Sequence, residues 1–234
     1  CLRILADHLE GDATEEEVEI IEKGLQDRDE FVSLAAIRAA GASGDYDLTI
    51  RAIDQAAGRD STRAVTAAEA LAEGLSPELL RLIPDLIDAF ESAHRHRLAE
   101  ATRDTVRTEA YLLRALDRLV DADTMGASDA RNAALESLED ASDHQPVLVT
   151  ALNLLLDTLP EEGLSEAKRW ENARVQPLID LLDHSNADIA GRALTVVERA
   201  VSADAPGLSG RLSRLLYSTS QRLLDQVIPL LERI

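Results

Sequence analysis

Ile189-Ala190-Gly191-Arg192-Ala193-Leu194-Thr195-Val196 is one copy of a pattern that the chain carries five times. The anchor is Ile189 here and Val32, Ala64, Val106 and Leu148 in the earlier copies, at successive intervals of 32, 42, 42 and 41 residues. Four positions after the anchors stand Ala36, Ala68, Ala110, Leu152 and Ala193. Seven positions after them stand Ala39, Leu71, Leu113, Leu155 and Val196. Positions i, i+4 and i+7 share one face of a 3.6-residue helix, so every copy offers a similar apolar stripe. A stripe that returns about every 40 residues marks stacked helix pairs, each burying its face only against its neighbours. The spacing predicts an all-α chain, an α-solenoid of about five to six stacked antiparallel helix pairs, with almost no sheet.

The stretches between the stripes supply the helix boundaries. Residues 1–9 read as the second helix of a pair whose first half is missing, a half repeat. Thr14 followed by Glu17 forms an S/T-x-x-E capping box that opens the next helix. Asp27-Arg28-Asp29 turns the chain into the helix holding Val32, and Gly41 to Gly44 is expected to break that helix. A further pair covers roughly 46–57 and 60–74. Ser76-Pro77 starts another helix, a capping hydroxyl followed by proline in the first turn. Pro84 inside it predicts a kink, and its partner is a long helix over 98–121. Pairs over 128–140 with 146–158 and 165–183 with 187–203 follow, separated by Pro160-Glu161-Glu162-Gly163. Residues 204–234 close the chain as an atypical pair, 207–217 and 219–234, with Pro229 in the last helix. Residues 1–234 are thus expected to form one repeat domain, and a chain that opens on Cys1 without an initiator Met reads as a fragment of a longer array.

Hydrophobic residues make up 45% but aromatic ones only 3%, so Ala, Leu, Val and Ile must do the burying. Alanine suits this task, because it lets helices approach closely and has the best helix propensity. The net charge is -20, and only Lys23 and Lys168 are lysines, leaving 22 of the 24 basic residues as arginine. Acid excess with lysine nearly absent resembles the proteins of extreme halophiles, haloarchaea above all, although an acidic protein of ordinary salt reads the same way. At molar salt the Debye length is about 3 Å, so self-repulsion is screened and long-range steering of partners fails. Recognition would then rest on short-range apolar and hydrogen-bonded contacts. The single cysteine excludes an internal disulfide and makes the cytoplasm the default compartment. No run approaches 18 uninterrupted apolar residues, so no membrane span is expected.

The run Val175-Gln176-Pro177-Leu178-Ile179-Asp180-Leu181-Leu182-Asp183, followed by Ile189 and Ala193-Leu194, resembles a HEAT repeat. Leu25 and Asp27 leading into Val32 and Ala35-Ala36 follow the same pattern, as do Asp60 before Ala67-Ala68 and Ala70-Leu71, and Val106-Arg107 before Ala110. The resemblance implies an armadillo-like α-solenoid whose second helices line a surface for a partner protein or peptide. The chain departs from the family in two respects. The Arg after the anchor Val survives only at Arg107, and the turn aspartate is missing before Val106.

HEAT-type enzymes exist, and their signatures are testable. One iron-dependent hydroxylase family holds two metals through His-Glu dipeptides, whereas the histidines here precede other residues: His8-Leu9, His94-Arg95, His96-Arg97, His144-Gln145 and His184-Ser185. His94 and His96, two apart, fall on different faces of a helix, so they do not combine into a metal site. There is no phosphate loop, nucleophile elbow or H-E-x-x-H motif. Neither a catalytic residue nor a cofactor is expected; a lyase-like enzyme or enzyme subunit, by analogy with the HEAT-like lyases of bilin pigments, stands as the alternative.

One window departs from the acidic background. Between His94 and Arg118 lie six arginines against four acids. Arg103, Arg107, Tyr111, Arg114 and Arg118 follow spacings of 4, 4, 3 and 4, which puts them on one helical stripe. Guanidinium groups beside an aromatic ring fork onto carboxylates or phosphates and stack on planar groups. Two readings follow: a recognition surface for a partner protein, or a solvated face whose arginines pair with Glu100, Asp104, Asp117 or acids of the next repeat. Nucleic-acid binding through the stripe is a further alternative, against which the overall charge speaks. Trp170 and Phe90 are expected in packing contacts rather than as binding anchors.

Overall fold

In a computed structural model of the chain, the structure describes residues 13–139, 141, 144–165, 168–170, 173–216 and 227–228. Its contacts gather into two compact units, Cys1–Val120 and Asp121–Ile234. The half repeat at 1–9 and most of the expected 219–234 helix, Pro229 included, lie outside the described residues.

The first unit holds α1 (Glu15–Leu25), α2 (Glu30–Ala42), α3 (Tyr46–Ala56), α4 (Ser61–Gly74), α5 (Ile83–Ala99) and α6 (Arg103–Leu119). Short turns join α1 to α2, α3 to α4 and α5 to α6, and the members of each pair pack on each other. The second helices also pack in order, α2 on α4 and α4 on α6, and α3 lies against α5. Helices packed against their neighbours in chain order are the arrangement of a helical repeat. The stripe decides which face is hidden: Ala36, Ala39, Ala64, Ala68, Leu71, Ala110 and Leu113 are all buried.

Each of these second helices starts on a side-chain cap. Asp29 accepts from the Phe31 and Val32 N–H groups, and Asp60 from those of Thr62 and Arg63. Where the turn aspartate is missing before Val106, Thr102 caps α6 in its place, forming a capping box with Thr105. At α1 the expected box forms: Thr14 N–H donates to the Glu17 carboxylate at 2.8 Å, and this bond with that of the Thr14 hydroxyl holds the Glu17 pKa down.

Two expectations are corrected here. The 98–121 helix is divided, because α5 continues through Ala99 and α6 starts only after the Thr102 cap. Pro84 makes no kink: a 3-10 turn over Leu80–Leu82 leads into α5, and Pro84 stands in the first turn, where its missing N–H has no partner to lose. The stretch Gly41 to Gly44 ends α2 as expected, since the helix stops at Ala42, but Gly41 itself does not break it. It is a buried helical residue, and the chain turns at Gly44, whose φ is 68°.

The second unit holds α7 (Ala127–Glu139), α8 (Gln145–Thr158), α9 (Gln176–Asp180), α10 (Ala187–Ala200) and α11 (Leu208–Leu215). α7 packs on α8, and α8 on α10, with Leu148, Leu152, Leu155, Ile189, Ala193 and Val196 buried as the stripe requires. The expected helix over 165–183 is absent as a single rod. Among the described residues of that stretch only α9 is α-helical, between 3-10 turns at Ala173–Val175 and Leu181–Asp183. Pro177 sits in its first turn, a position proline tolerates but which no longer helix could run through without losing a hydrogen bond.

Upstream, the chain lies along the end of α10. Trp170 N–H donates to the Ala200 carbonyl at 2.7 Å, and Ser202 N–H to the Trp170 carbonyl at 3.0 Å. That contact with Val201 is the one isolated β-bridge among the described residues. Phe90 is fully buried as expected, whereas Trp170 is half-buried. Gly163, with φ +80°, brings Leu164 N–H to within 2.7 Å of the Arg199 carbonyl. A Cβ at Gly163 would stand 2.7 Å from that same oxygen. Gly163→Ala is therefore expected to destabilise the second unit by about 2 kcal/mol or more, since the left-handed backbone alone costs roughly 1–2. Urea unfolding followed by Trp170 fluorescence measures this, and an unchanged midpoint would contradict it.

Candidate recognition surface

Glu69 is the centre of a polar row that crosses three helices. On α4 it is half-buried, its side chain 27% exposed. Arg107 of α6 lies 3.2 Å from its Oε1, and the Tyr111 hydroxyl donates to the same oxygen at 2.9 Å. Arg107 Nη2 also donates to the Tyr111 hydroxyl at 2.9 Å, with the guanidinium 5.4 Å from the ring centroid. Arg38 of α2 reaches the other Glu69 oxygen at 3.8 Å. The hydrogen bond to Tyr111 raises the Arg107 pKa above its usual value, so that charge is permanent.

The five stripe residues thus divide into three groups. Arg107 and Tyr111 are brought together and held by the preceding repeat. Arg118 Nε donates to the Leu75 carbonyl at 3.1 Å, at the C-cap of α4, which makes it a tie between repeats. Arg103 and Arg114 are exposed and form no ion pair among the described residues. The pairing acid is neither Glu100 nor Asp104 but Glu69, one repeat earlier. A signal for it exists in the spacing: Glu69 and Tyr111 each stand five positions after an anchor, Ala64 and Val106. In the second unit Asn153 occupies the same place after Leu148, and it accepts from Arg192 of α10.

Two members of the basic window are not on the surface at all. Arg97 of α5 is 2% exposed and donates through Nε to Glu109 of α6, which is fully buried. Arg97 Nη2 stands 3.3 Å from the other Glu109 oxygen, and His94 Nδ1 lies 3.1 Å from it. The His94 ring stacks on Phe90 at 5.7 Å between centroids. This cluster clamps α5 to α6 and removes a cation from the exposed part of the basic window. It also parts His94 from His96, which is half-buried elsewhere on α5. Among the described residues no group of three or more His, Cys, Asp or Glu side chains is placed to hold a metal ion, and no helix is long and apolar enough to cross a membrane.

No protein-family model matches the chain, and neither does any curated protein. Among solved structures it is similar to an engineered protein, a crystal structure from the Northeast Structural Genomics Consortium, at 17% identity and a TM-score of 0.57. The match covers 94% of this chain and 96% of that one. At that identity the likeness speaks for the fold alone.

Proposed function

We propose that the chain is a non-enzymatic scaffold of HEAT type that binds a partner protein or peptide across α2, α4 and α6. The observation that carries this reading is the row Arg38–Glu69–Arg107–Tyr111. It spans three repeats on one surface, and its side chains are held by one another before any partner arrives. Preorganised donors lose little rotamer freedom on binding, which is where such a surface gains affinity. Arg103 and Arg114, exposed on the same helix, supply guanidinium forks for a partner's carboxylates or main-chain carbonyls. Glu69 at the centre of the row weighs against a polyphosphate strand. The acid-rich, lysine-poor composition supports a working medium of molar salt, in which the hydrogen bonds of Arg107 and Tyr111 to Glu69 survive and steering does not.

The test is affinity capture at molar salt with the wild type and with Arg103→Glu/Arg114→Glu. Both arginines are exposed and outside any ion pair among the described residues, so helicity and melting should be unchanged. The captured partner is expected to be lost. Capture of the same proteins in the same amounts by the variant would dismiss the surface.

A further inference from the structure

A cleft of about 580 Å³ opens in the first unit between the second and third helix pairs. Its origin is visible in the repeat. Four of the five anchors are Val32, Val106, Leu148 and Ile189, but the anchor at this place is Ala64, which lines the hollow together with Ala93. Ala64 carries the smallest side chain of the five anchors. The floor is therefore hydrocarbon and the space is large enough for a small organic molecule, within the roughly 300–1,000 Å³ of ordinary ligand sites.

The mouth has the opposite character. Arg59 and His96 line it, and neither side chain makes a hydrogen bond or ion pair among the described residues. Arg63 and Arg107, on the two helices that flank the cleft, stand in ion pairs, whereas Arg59, like Arg103 and Arg114, does not. Asp60, next to Arg59, is already engaged with the Thr62 and Arg63 N–H groups at the start of α4. The lining hydroxyls of Thr105 and Thr108 donate to main-chain carbonyls. Glu100 is the one carboxylate in the lining, and it is exposed.

We propose that this cleft binds a small organic oxyanion, a carboxylate or a phosphate monoester. Its hydrocarbon part lies on the alanine floor, and its charged end is held by Arg59 and His96. The site is separate from the Glu69 row, so it stands or falls apart from the scaffold reading. Arg59 gives a forked, permanently charged donor, and a charge-assisted bond keeps its strength at short range even where salt screens the approach.

The experiment follows the His96 imidazole resonances by NMR at molar salt while phenyl phosphate, benzoate or inorganic phosphate is added. A saturable shift with phenyl phosphate or benzoate is the expected result. Phenyl phosphate alone assigns a phosphate ester, benzoate alone a carboxylate, and both assign the shared oxyanion. Arg59→Ala should weaken binding about tenfold or more. Ala64→Leu, which puts an anchor of ordinary size into the hollow, should abolish it, while circular dichroism checks that both variants remain helical. Shifts that never saturate overturn the proposal, as does affinity unchanged in both variants. Inorganic phosphate binding as tightly as phenyl phosphate also overturns it, because the alanine floor would then contribute nothing.

Discussion

Glu109→Ala is expected to destabilise the first unit by about 3–5 kcal/mol, more than any single change on the exposed row. Glu109 has no exposed surface, and its two oxygens face Arg97 and His94. Removing it leaves the Arg97 guanidinium, 2% exposed, in the interior without its carboxylate. A buried charge deprived of its counter-charge is costly because nothing in the surroundings replaces the water it gave up. Replacing both members, as Arg97→Leu/Glu109→Leu, should be far milder, since apolar groups of similar volume fill such sites at nearly no net cost. Salt separates this cluster from the surface. At 1 M the Debye length is about 3 Å, so the Arg38–Glu69 contact at 3.8 Å is screened while the buried pair is not. The Glu109→Ala loss should therefore be as large at molar salt as at low salt.

The probe decides whether the effect is seen. Trp170, the only tryptophan, belongs to the second unit, so its fluorescence follows that unit. Amide exchange at Leu112, Leu113, Ala115 and Leu116, fully buried on α6, follows the first. Faster exchange there by several kcal/mol, with an unchanged fluorescence midpoint, is the expected pattern. A loss below about 1 kcal/mol would mean that water reaches the pair, and the clamp would then be a surface ion pair in all but name.

How much of this was legible in the sequence follows from what each signal reports. The i, i+4, i+7 stripe reports burial, and it located α2, α4, α6, α8 and α10 because a helix packed on one side must repeat its apolar residues at that period. It does not report main-chain continuity. Leu178, Leu181 and Leu182 of the expected 165–183 helix are buried, yet the backbone over 173–183 is a five-residue helix between two 3-10 turns. Arg107 and Tyr111 were readable as neighbours because they lie four apart on one helix. Glu69 was not, because one acid among 44 carries no mark unless the repeat frame is used to align it. His94, Arg97 and Glu109 were counted in a basic surface window, since charge in a sequence is normally evidence of exposure. They form a polar core contact between α5 and α6, which only three-dimensional packing identifies.

Gly74→Val is expected to cost about 3 kcal/mol, because α2 and α4 touch there main chain to main chain. A Cβ at Gly74 would stand 2.7 Å from both the Cα and the Cβ of Ala42. The contact is reciprocal: a Cβ at Gly41 would stand 2.8 Å from the Ala70 Cβ and 3.2 Å from the Leu71 nitrogen. Neither obstacle is the end of a flexible side chain that could swing away, so the helices themselves must separate. Their separation would also open the packing that holds Arg38 within reach of Glu69. Gly74→Ala sets two effects against each other, a gain of up to about 1 kcal/mol in helix propensity and a clash of about 1–3. The clash should win, giving a small net loss. Gly210 of α11 provides the contrast, since a Cβ there meets nothing within 4 Å. Gly210→Ala is expected to stabilise by a few tenths to about 1 kcal/mol, the propensity gain alone. If thermal unfolding found that Gly74→Ala and Gly210→Ala stabilise equally, the close approach of α2 and α4 would be wrong, and with it the geometry that aligns the Glu69 row.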